Sequence, residues 1–61
     1  MNANSQNEIR SMSDLELEMS IMQCNSDLTE AYDLGDDNEI NEIREYRAAC
    51  MAEMKTRKES R

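Results

Sequence analysis

The sequence predicts an all-α protein, an antiparallel helical hairpin that pairs with a second copy to form an intertwined homodimer. Three observations carry that expectation. Apolar residues recur at spacings of three and four on both sides of Leu34-Gly35-Asp36-Asp37. The chain holds no proline, and its single glycine stands in that same turn. Folding the chain there sets Met19 opposite Met54, Met22 opposite Met51, Cys24 near Cys50 and Leu28 beside Tyr46.

The dimer follows from size. The chain has 61 residues, 38% of them apolar, and its only aromatics are two tyrosines. At this length area gain and ordering entropy nearly cancel, so a small scaffold needs a disulfide, a metal or a partner chain. There is no histidine, and Cys24 and Cys50 are the only soft ligands. Two cysteines are too few for the disulfide framework of a secreted mini-protein. A second chain is the remaining staple.

Residues 1–12 read as a flexible leader, mostly Asn, Ser and Gln through residue 7. Within it Glu8–Met12 is open between coil, a turn and a short extended segment that could pair with its copy. Residues 13–61 form the hairpin domain. Its first helix opens on Ser13-Asp14-Leu15-Glu16, a capping box in which the Ser13 hydroxyl and the Glu16 carboxylate each accept from the other residue's amide. Met12 and Leu17 stand at the two positions of a hydrophobic staple. Asp14, Glu16 and Glu18 place negative charge at the positive end of the helix dipole.

Leu17, Ile21, Cys24, Leu28 and Ala31 then make one seam, which Tyr32 extends toward the turn, with Leu15, Met19 and Met22 as a second stripe beside it. Gly35 suits the left-handed conformation that closes many helices. Asp36 with Glu39 offers a second cap-like pair, and helix two is expected from about Asn38. Its stripe is Ile40, Ile43, Arg47, Cys50 and Met54, widened by Tyr46, Ala49 and Met51. Lys55, Arg57 and Lys58 suit the carbonyl end of its dipole. So short a link forces the helices antiparallel.

Chemistry-bearing constellations are few. Read as a calcium loop from Asp33, the turn puts Gly35 at position three, Asn38 at six and Arg44 at twelve, so the ligand pattern fails. Cys24 and Cys50 have no activating histidine or CxxC context and are expected to pack as small hydrophobes. No glycine-rich phosphate loop or desolvating cleft supports catalysis. The expectation is a protein that is not an enzyme and binds no cofactor or metal. Arg47 lies on an apolar stripe, where it must snorkel, bond to Asp27 or Glu30 across the seam, or face a dimer boundary.

Net charge is −7 but unevenly placed. Residues 1–45 carry twelve acids against Arg10 and Arg44, whereas residues 46–61 carry five bases against two acids. The acidic body repels nucleic acid and favours basic partners. The basic end lacks the aromatics of a nucleic-acid site, so no direct nucleic-acid binding is expected. No apolar run reaches membrane-spanning length, and residues 1–7 have no signal-peptide character. The chain reads as cytoplasmic, with reduced thiols.

Size, acidity and the capped hairpin, from Ser13-Asp14-Leu15-Glu16 to the basic tail ending at Arg61, resemble the small early-region proteins that lambdoid temperate phages encode between their exonuclease and excisionase genes. The resemblance implies a small helical dimer, with a short strand outside the helices for which Glu8–Met12 is the candidate. It also implies an early regulatory role, altering host physiology or biasing lysis against lysogeny. No functional residue is carried over from it.

The residues themselves assign two surfaces. Leu17, Ile21, Leu28, Ile40, Ile43 and Tyr46 are expected at the dimer interface. Met19, Met22, Met51 and Met54 are expected to form a groove for an amphipathic helix of a host or phage protein, because methionine is flexible and polarisable. The alternative is an acidic mimic of nucleic acid that blocks a DNA-binding protein, supported by the charge of residues 1–45.

Overall fold

A computed structural model describes residues 3–60 of the chain; Met1, Asn2 and Arg61, which belong to the expected leader and basic tail, lie outside them. Three helices follow one another: α1 Ala3–Ser11, α2 Asp14–Leu34 and α3 Asp37–Glu59. Helices α2 and α3 pack along each other as the hairpin, and α1 packs against α3. No strand occurs among the described residues.

Local chemistry sets the boundaries of α2. Ser13 is extended (φ −71°, ψ 165°), the Glu16 amide donates to its Oγ at 3.1 Å, and its own amide donates to Glu16 Oε1 at 3.3 Å. Both halves of the capping box are therefore formed. At the other end Gly35 takes φ +69°. Its amide donates to the Tyr32 carbonyl, and the Asp36 amide donates to that of Ala31, a Schellman closure. A Cβ at Gly35 would meet nothing within 4 Å, so only backbone torsion demands glycine there. Asp36 caps α3 by accepting from the Glu39 amide at 3.2 Å, which starts that helix at Asp37, one residue before the expected Asn38.

The N-terminal segment departs from expectation. Glu8–Ser11, open between coil, turn and strand, is the end of a helix instead. Tertiary contacts explain it. Ile9 is 3% exposed in a cluster with Leu17 and Cys50, and half-buried Met12 joins the same cluster. The Ser11 hydroxyl donates back to the Asn7 and Glu8 carbonyls, and Arg57 Nη2 donates to the Arg10 carbonyl at 3.1 Å. The Glu8 and Arg10 carbonyls, among the last four of α1 and without an i+4 donor inside it, are thus satisfied.

The core has two parts. At the open end Ile9, Leu17 and Cys50 are buried, with Met12, Ile21, Tyr46, Ala49 and Met54 packed around them. At the turn end Leu28, Ala31 and Ile40 are buried beside Ile43. No polar or charged side chain is buried among the described residues. The molecule measures 40 × 21 × 15 Å, with a radius of gyration of 12.2 Å. A compact chain of this length would have roughly 10.5 Å. The accessible surface is 4669 Å², against roughly 4,100 Å² for a monomeric protein of this mass. A thin, elongated hairpin leaves more surface to solvent than its size requires.

Candidate interaction surfaces

The six residues expected at the dimer interface serve first as this chain's own core. Leu17, Leu28 and Ile40 are buried within the hairpin, and Ile21, Ile43 and Tyr46 are half-buried around them. Only the exposed fraction of the last three is open to a second chain.

The four methionines divide between two surfaces. Met51 and Met54 join Ile21 in a groove of 510 Å³ between α2 and α3, walled by Asp14 and Glu18 on α2 and by Lys55, Arg57 and Lys58 on α3. Met19 and Met22 do not line it. They are 60% and 69% exposed, and neighbouring Leu15 is 64% exposed. At about 100° per residue, Leu15, Met19 and Met22 fall on the side of α2 facing away from Leu17, Cys24 and Leu28. The expected second stripe beside the seam therefore runs along the outer face of the hairpin. Packing one helix against another occupies a single arc of each, and that of α2 is filled by Leu17, Cys24, Leu28 and Ala31.

Two arginines organise the groove side. Arg47 is half-buried and donates from Nη1 to Asn25 Oδ1 at 2.7 Å, a bond across the seam to a residue other than Asp27 or Glu30. Asn25 and Asp27 lie about 200° apart around α2, and only the first shares the side of that helix that carries Ile21 and Glu18. Arg57 ties all three helices together. Its Nη1 reaches Asp14 Oδ1 of α2 at 2.9 Å, its Nε lies 3.7 Å from Glu53 within α3, and its Nη2 bonds the Arg10 carbonyl of α1. Sequence reasoning gave Arg57 only a role at the helix dipole. Its partners on α2 and α1 stand 43 and 47 positions away, beyond any local pattern.

Both thiols are free and buried. Burial pushes Cys24 above the ordinary thiol range, reinforced by Asp27 and opposed by Arg47. Burial likewise lifts Cys50, reinforced by Cys24 and opposed by a hydrogen bond from Tyr46. The Tyr46 hydroxyl is raised too, first by burial and then by Cys50 and Glu8; it lies 3.9 Å from Met12 Sδ. Thiols that hold their protons longer when folded contribute stability in full below the unfolded thiol pKa, and that contribution is lost as pH rises toward the higher folded values. Alkylation of Cys24 and Cys50 at mildly alkaline pH is expected to be slow in the folded chain and fast in urea. Equal rates in the two states, measured by thiol titration, would show the cysteines to be accessible.

The described residues contain no group of three or more potential metal ligands, and none of their helices is long and apolar enough to cross a membrane. In comparisons with known proteins, no family model, curated protein or solved structure matches the chain.

Proposed function

We propose that this chain is a small, acidic, non-catalytic regulator that works as a homodimer in the cytoplasm and acts by binding other proteins. The observation that carries the reading is the outer stripe of Leu15, Met19 and Met22, each at least 60% exposed in a chain with little apolar residue content to spare. Contiguous exposed apolar side chains on a small protein mark interaction sites, and methionine adapts to partners of varied shape. An amphipathic helix of a host or phage protein is the partner this stripe fits. The early-phage resemblance places such binding in control of host physiology or of the choice between lysis and lysogeny. The thin hairpin and its surplus surface support the dimer.

The test is the Met19→Ser, Met22→Ser double variant. Both side chains are exposed, so helicity by circular dichroism is expected to match the parent. A protein captured by the parent from host cytosol is expected to be lost from the variant. Capture that survives the double change but falls steeply with salt would overturn the apolar reading in favour of charge mimicry.

A further inference from the structure

The groove between α2 and α3 has a charge arrangement that its own fold leaves unused. Its floor is apolar, built from Ile21, Met51 and Met54. On the α2 wall stands Glu18, and on the α3 wall stand Lys55 and Lys58; all three are exposed. None of the three forms an ion pair or side-chain hydrogen bond with another described residue, whereas Asp14 and Arg57 already pair with each other. Among the described residues the face is also uncovered. Ala49, Glu53 and Thr56 line a separate hollow with Ile9 and Arg10 of α1, and helix periodicity puts them on the side of α3 opposite Met51, Lys55 and Lys58.

We infer that a second copy of this chain seats on this groove, an assignment that rests on the dimer reading above and gives it a surface. A two-fold interface is self-complementary, each patch meeting its own copy. Half a turn about an axis parallel to the groove lays Glu18 of each chain over Lys55 and Lys58 of the other. An axis across the groove would set Glu18 on Glu18 and lysine on lysine. Only the first arrangement offsets the repulsion between two chains of charge −7. It also sets α2 of one chain antiparallel to α3 of the other, the neighbour relation of a four-helix bundle. Leu15 and Met19 stay outside this contact.

Sedimentation of the full chain tests it. The parent is expected to be a dimer at low salt. Glu18→Lys alone, and Lys55→Glu with Lys58→Glu, each bring like charges together and are expected to weaken dimerisation at least tenfold with helicity unchanged. Mixing the two variants restores opposite charges on both rims, so a heterodimer is expected to form. Variants that self-associate as well as the parent would overturn the groove assignment and leave the dimer reading standing. A monomeric parent would overturn both.

Discussion

Leu17→Ala is expected to remove a large share of the chain's stability. Leu17 is fully buried, flanked by Ile9 and Cys50 and by the partly buried Met12, Ile21, Tyr46, Ala49 and Met54. Truncating a leucine in such a site costs about 2–5 kcal/mol, since the cavity adds to the lost transfer energy. A domain of this length holds only about 3–9 kcal/mol in total. Urea melts followed by circular dichroism measure the loss. Leu15→Ala supplies the control two residues away, where 64% exposure predicts a change within about 0.5 kcal/mol. Equal midpoints for the two variants would refute the assigned core face.

Ile9→Asp is expected to release α1 while leaving the α2–α3 hairpin folded. A carboxylate at a site 3% exposed must lie unpaired beside Leu17 and Cys50 or leave the core. Leaving is the cheaper course, because α1 has only nine residues and no capacity to persist alone. Amide exchange should then be fast from Ala3 to Ser11, while Cys24, Leu28 and Cys50 stay protected. Exchange in α1 unchanged from the parent would show that Ile9 is not its anchor. Collapse of the whole hairpin would show that α1 is integral to its stability.

What the sequence made legible were features written within one turn of helix. Ser13 with Glu16, the Gly35 and Asp36 amides with the Tyr32 and Ala31 carbonyls, and the seam from Leu17 to Ala31 each rest on neighbours three to five positions apart. What it hid was tertiary. Ile9 is a lone apolar residue in a polar segment, and periodicity cannot see that its partners are Leu17 and Cys50. Arg57 resembles any basic residue at a helix end until Arg10 and Asp14 are brought to it. The methionines were identifiable as a soft surface, yet a count of apolar positions could not say which arc of α2 its partner helix would fill. That arc decides that Met51 and Met54 share the groove while Met19 and Met22 face outward.

Order of synthesis gives the Ile9 and Arg57 contacts a further consequence. Ile9 is synthesised before Cys50, its partner in the core, by roughly 2–8 s at ordinary elongation rates. The hairpin, whose two arms meet across a short turn, can zip as soon as both have emerged, within microseconds to milliseconds. Of the three helices, the earliest made is thus the last to dock. Until α3 has docked, α1 lacks its anchor and Leu17 its cover, and in that interval a chaperone or an assembly partner would find the open end most receptive.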